Sequence, residues 1–172
     1  MANLIVTLIS VAVILAGVSS MAQGSFRSMD GLSDAWRQME VRAGSIARTE
    51  LEVVSTYHSG SRVDVTLKNS GQTSLQDFDA WDVVAEYYEN SGTYHQLWVA
   101  YTTESLPGDN QWTVTGIYLN DAGSQPEVFQ PDIFDPGERL VIRMRLVPPP
   151  KNGADHHAVI GTANGVSVST IF

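Results

Sequence analysis

The side chains of this sequence that could do chemistry are its four histidines, His58, His95, His156 and His157, and a scatter of loop carboxylates. Asp155-His156-His157 is the densest group, and imidazoles with a carboxylate are the donor set of a zinc-type site. Neighbours on a strand point to opposite faces, however, so the two rings diverge and the group reads as an ordinary surface pair. Asp109, Asp121, Asp132 and Asp135 sit in loop-like stretches and offer oxygens suited to Ca²⁺. They lack the alternating spacing of a calcium loop, and solvation is their expected role. Glu86 and Glu89 lie in or beside an apolar strand and make no catalytic pair. There is no G-x-S-x-G, no phosphate-binding glycine loop and no dinucleotide fingerprint. Trp81, Trp98, Tyr101 and Trp112 could line a ligand groove, but strands bury such aromatics and the core is their expected place. With no cysteine, neither a disulfide framework nor a thiolate site can form. The expectation is a non-enzymatic protein that uses no cofactor.

The elements that must position these residues divide the chain sharply. Its 172 residues carry a net charge of −9. Residues 1–48 hold four arginines against three acids, so residues 49–172 carry −10. Such an acidic domain argues against nucleic acid and against an anionic membrane surface as partners.

Residues 1–26 contain no charged side chain, and Leu4 to Ala22 is nearly continuous apolar sequence. About 20 apolar residues let a helix cross ~30 Å of hydrocarbon, so the expectation is a membrane-resident helix. Ser20-Met21-Ala22 before Gln23 has the look of a signal cleavage site, but no Lys or Arg precedes the run as a signal n-region requires. Ala12, Ala16, Ser20, Gly24 and Ser28 recur every four residues, and Ser10, Gly17, Gly24 and Gly31 every seven. Rows of small residues let helices approach closely where lipid supplies no hydrophobic drive. Helical periodicity continues through Phe26, Met29, Leu32, Trp36, Met39, Ala43 and Ile46, and the first proline is Pro107. A helix to Arg48 would be about 70 Å long at ~1.5 Å per residue, over twice a bilayer.

Near Thr49 the period changes to that of strands. Glu50 to Tyr57 and Arg62 to Asn69 read as a hairpin, closed by turn chemistry at His58 to Ser61. Trp81–Tyr88, Tyr94–Thr102, Gln111–Leu119, Arg139–Val147, Ala158–Thr162 and Val166–Phe172 follow, the last two joined through Asn164-Gly165. Seven or eight short strands separated by turns indicate a β-sandwich. Its expected core is Val63, Val65, Leu67, Val83, Trp98, Val114, Ile117, Leu140, Ile142 and Met144. The fold class expected is α+β, a long N-terminal hydrophobic α-helix (1–48) followed by an all-β immunoglobulin-like sandwich head (49–172).

An uncharged apolar N-terminus running into one long helix, then an all-β head, resembles the archaellins (archaeal flagellins) and related archaeal type IV pilins. Val63 to Leu75 (VDVTLKNSGQTSL) is similar to the strand-turn segment after their helix. Phe134 to Met144 (FDPGERLVIRM) and Asn164 to Phe172 (NGVSVSTIF) are similar to later parts of the same domain. Position 5 is Ile5, where bacterial type IV pilins carry a glutamate, and no Asn-x-Ser/Thr sequon occurs.

The resemblance implies a structural subunit of an extracellular, cell-surface helical filament, an archaellum for motility, that forms a homopolymer with many copies of itself. It also implies residence in the membrane before assembly, a prepilin-type peptidase and a secretion and assembly machinery. The polymerisation helix would act through Leu4, Ile5, Leu8, Ala12, Leu15, Ala16, Gly17, Ser20, Gly24, Phe26, Ser28, Met29, Gly31, Leu32, Trp36 and Met39. The alternatives are an adhesion pilin of the same architecture and a monomeric membrane-anchored β-sandwich that binds a ligand or partner.

Overall fold

The computed structural model of the chain describes residues 2–119 and 125–172, apart from the side chains of residues 2–4, 22, 24–28 and 30. Helix α1 (Ala2–Arg48) comes first, and eight strands follow. They are β1 (Leu51–Ser59), β2 (Arg62–Asn69), β3 (Asp82–Tyr88), β4 (Tyr94–Tyr101), β5 (Gln111–Tyr118), β6 (Arg139–Arg145), β7 (His157–Gly161) and β8 (Ser167–Ile171). The chain forms two compact units, Met1–Ala43 and Gly44–Phe172.

The expected fold class needs correction. The C-terminal half of α1 carries Asp34, Arg37, Glu40, Arg42 and Arg48. Among the described residues no helix is long and apolar enough to cross a membrane. The architecture is therefore a mostly-β sandwich tending to a barrel, and the long hydrophobic helix is not its defining feature.

The β unit is one ladder in the order β1-β2-β6-β5-β4-β3-β7-β8. Neighbours are antiparallel except β4 and β5, which are parallel and share two residue pairs, Ala100↔Gln111 and Tyr101↔Trp112. That weak seam separates two four-stranded leaves, β1-β2-β6-β5 and β4-β3-β7-β8. The free edges approach each other as well, where the Thr56 hydroxyl donates to the Ile171 carbonyl at 3.0 Å.

Alternation along the strands determines what lies between the leaves. Val63, Val65 and Leu67 from β2 and Leu140, Ile142 and Met144 from β6 are fully buried, facing Val83, Ala85, Tyr87, Val99, Ala158 and Ile160. Burying each large aliphatic side chain contributes about 1.5–3 kcal/mol. Trp81, Trp112 and Phe134 complete the core. Trp98, expected there, is 62% exposed because Val99 takes the inward position on β4, and Val114 beside a β5 bulge is only half-buried.

Buried Asn69 organises the turn after β2. Its amide nitrogen donates to the carbonyls of Thr73 (2.9 Å) and Phe134 (3.0 Å), and its side-chain oxygen accepts from Gly71 N–H. A Cβ on Gly71 would lie 2.5 Å from both Arg48 O and Glu50 N, so only glycine lets this turn approach the entry to β1.

Candidate interaction faces

On an antiparallel pair every second residue points outward, and the outward residues of β2 and β6 are charged. Arg62, Asp64, Thr66 and Lys68 lie opposite Arg145, Arg143, Val141 and Arg139 respectively. Five of the six Lys and Arg residues in 49–172 thus share one outer face, although that segment carries −10 overall. Two of the cross-strand pairs, Arg62↔Arg145 and Lys68↔Arg139, set like charges opposite each other, an arrangement that disfavours pairing.

Asp64 organises the middle of this row. Arg143 donates from Nε to Oδ1 (2.9 Å) and from an Nη to Oδ2 (3.0 Å). Arg62 donates from Nε at 3.0 Å and from an Nη in a close ion pair. Burial pushes the Asp64 carboxyl up, but the hydrogen bonds from Arg62 and Arg143 outweigh it and hold the group below its ordinary value. The same bonds raise Arg62, whose guanidinium also lies 5.6 Å from the Tyr57 ring centroid. Arg145 pairs with Asp109 at 3.1 Å, and both are exposed. At this end of the leaf a groove of about 380 Å³ is lined by Ser59, Ser61, Arg62, Arg143, Arg145 and the Leu106-Pro107 loop.

The outer face of the other leaf differs in kind. Val84 of β3 sits between Trp98 and Val159, Glu86 between Gln96 and His157, and Tyr88 beside Tyr94. Trp98 donates its indole N–H to Asp82 (3.0 Å), Gln96 donates to Glu86 (2.8 Å), and the rings of Tyr88 and Tyr94 are 5.2 Å apart. This face is aromatic and mildly acidic.

Of the histidines, His58 and His156 meet edge to face with ring centroids 6.0 Å apart, while the adjacent pair His156-His157 diverges. His156 is fully buried, its Nε2 2.8 Å from the Lys151 carbonyl and its Nδ1 accepting from Tyr88 N–H at 3.4 Å, whereas His157 is exposed on the other side of β7. Asp135 accepts from Ser74 at 2.5 Å and Glu89 from Ser91. Asp121 lies outside the described residues. Among the described residues no group of three or more metal-binding side chains occurs.

Of the residues expected on a polymerisation helix, Ile5, Leu8, Leu15, Met29, Leu32, Trp36 and Met39 are each at least 60% exposed. Ala12, Ala16, Gly17, Ser20 and Gly31 are exposed too. The side chains of Leu4, Phe26 and Ser28, and Gly24, lie outside those described. The basic face was missed at the level of sequence, although Arg139, Arg143 and Arg145 at even spacing in a strand-like run were its signal.

These features define a class, an immunoglobulin-like β-sandwich with contrasting outer faces. The family model for the immunoglobulin-like domain of conserved flagellar protein F matches residues 47–170, and the chain belongs to that family. A solved structure of the archaellum periplasmic stator protein FlaG from Sulfolobus acidocaldarius is similar at 24% identity and a TM-score of 0.52, over 72% of this chain and 99% of that one. The stator protein complex of FlaF and FlaG from the same organism is similar at 24% identity and a TM-score of 0.51, over 72% of this chain and 89% of that one. Comparison with curated proteins gives no match.

Two expectations are revised by these findings. The kinship to the archaellum holds at a coarse level, but neither the family nor the similar structures are archaellins or type IV pilins. The homopolymer is also overturned, because the similar assembly is a complex of two different proteins. The physical source of the error is that a helix followed by a β head is an architecture, and different functions share it.

Proposed function

We propose that this chain is a non-catalytic stator component of the archaellum in the cell envelope, whose immunoglobulin-like domain docks a different protein. The observation that carries this reading is the family match across 47–170, which covers all but the last residue of the strands. The likeness to the FlaF–FlaG complex supports a heteromeric contact. The contrast between the outer faces supports it too, since complementary charge gives an interface its orientation and specificity.

Fractionation of the source cells, with tagged chain and mass spectrometry, tests the reading. The chain is expected in the envelope fraction, co-purifying with a FlaG-type protein and absent from sheared filaments. Recovery as a main component of sheared filaments would overturn it.

A further inference from the structure

We propose that the groove at the Arg62–Arg145 end of the β1-β2-β6-β5 leaf is a docking site for an extended, carboxylate-bearing segment of a partner protein. The inference deepens the reading of the domain as a docking module and rests on it.

Charge placement is the first argument. A segment of net −10 concentrates five of its six basic residues on one face, and three of them, Arg62, Arg143 and Arg145, line one groove. Arg62 stands directly opposite Arg145, a like-charge pairing that disfavours the ladder and that Asp64 and the exposed Asp109 offset from either side. An incoming carboxylate would add to that offset or take the place of Asp109 on Arg145.

Preorganisation is the second. Asp64 engages Nε and one Nη of both Arg62 and Arg143, which fixes the planes of the two guanidiniums. A guanidinium has five N–H donors, so each retains N–H groups that Asp64 does not use. Two arginines sharing one carboxylate leave a net positive charge, and a planar fork held in place matches an incoming carboxylate in two-bond geometry.

The third argument selects a protein segment over a small anion. Beside the arginines stands the Leu106-Pro107 loop, and the Leu106 side chain is 75% exposed. This apolar wall suits a side chain next to a carboxylate. On an extended segment, alternate residues are about 6.8 Å apart. That spacing equals the separation of Arg143 and Arg145 along β6, so successive acidic side chains can meet successive arginines.

The test uses the full-length chain and a fluorescent peptide, Glu-Val-Glu-Leu-Glu, read by anisotropy at 50 mM and 500 mM salt. Saturable binding is expected at low salt, with affinity falling at least about tenfold at high salt as screened charge pairs should. Arg145→Glu, at a half-exposed position that leaves the core intact, is expected to weaken binding by at least about tenfold. Leu106→Ser is expected to weaken it severalfold, and Glu86→Lys on the opposite leaf to leave it within about twofold. Absence of binding by the wild-type chain at low salt overturns the proposal. So does equal binding by Arg145→Glu, or by a peptide with Gln in place of Glu. Displacement by free glutamate as effective as by unlabelled peptide would replace the segment with a small anion. A chain found in the stator that ignores the peptide loses the groove and keeps the function. A chain found in filaments that binds it does the reverse.

Discussion

The two outer faces of the sandwich are made from the same pleated alternation and end in opposite chemistry. On the β1-β2-β6-β5 leaf the outward row is Arg62, Asp64 and Lys68 against Arg139, Arg143 and Arg145. On the β4-β3-β7-β8 leaf it is Asp82, Val84, Glu86 and Tyr88 with Trp98 and Val159. The inward rows are apolar on both leaves and serve one core. Packing therefore constrains the inside of each strand and leaves the outside open to specialise. The basic leaf concentrates its charge through a shared carboxylate, while the other leaf offers polar-tipped aromatics whose bonds are local. A docking partner that reads charge can tell one side of the domain from the other.

The comparison can be broken most strongly at Asp64. Asp64→Ala leaves the partly buried Arg143 guanidinium and the exposed Arg62 one without their common acceptor, and a loss of about 1–2 kcal/mol is expected in urea denaturation. The estimate stays at the low end because Arg62 is half exposed. Glu86→Ala, the corresponding change on the other leaf, removes exposed bonds to Gln96 and Tyr94 and should cost less than about 0.5 kcal/mol.

A pH series sharpens the same contrast. The folded-state value of Asp64 is depressed, so its contribution is present above the ordinary carboxylate value of 3.8 and is lost as pH falls through the lower folded value. The stability gap between wild type and Asp64→Asn should be constant from about pH 5 upward and should close in stronger acid. Glu138 provides the opposite sign. Burial raises its carboxyl despite the Asp135 N–H that it accepts at 2.7 Å. Its folded form therefore holds a proton more tightly than the unfolded chain, and a gap between wild type and Glu138→Gln should narrow as pH falls. The smallest effect is expected at Trp98, where Trp98→Phe removes an exposed indole bonded to Asp82 and should change stability by no more than about 0.5 kcal/mol.

Much of the β unit was legible from alternation. Val63, Val65 and Leu67 announced the inward face of β2, and Asn164-Gly165 the β7–β8 hairpin, where Gly165 adopts φ +94°. Period-2 reasoning does not say which phase faces inward when both phases are apolar. Leu97 to Ala100 is such a run, and there Trp98 was assigned to the core that Val99 occupies. The basic face was less visible because its charges come from two strands far apart in sequence. Arg62 and Arg145 become neighbours only through the β2–β6 ladder. The seating of His156, between Lys151 O and Tyr88 N–H, likewise depends on a long-range pairing. The homopolymer expectation failed for another reason. Small-residue rows and apolar runs report a tendency to associate, and they do not name the partner.

Hydrogen–deuterium exchange of the full-length chain, with and without the Glu-Val-Glu-Leu-Glu peptide, tests the central claim most directly. Slowed exchange confined to 59–64, 106–110 and 143–147 is the predicted result, marking the arginine groove. Protection across 82–88 and 94–101 instead would place docking on the aromatic leaf and contradict the account.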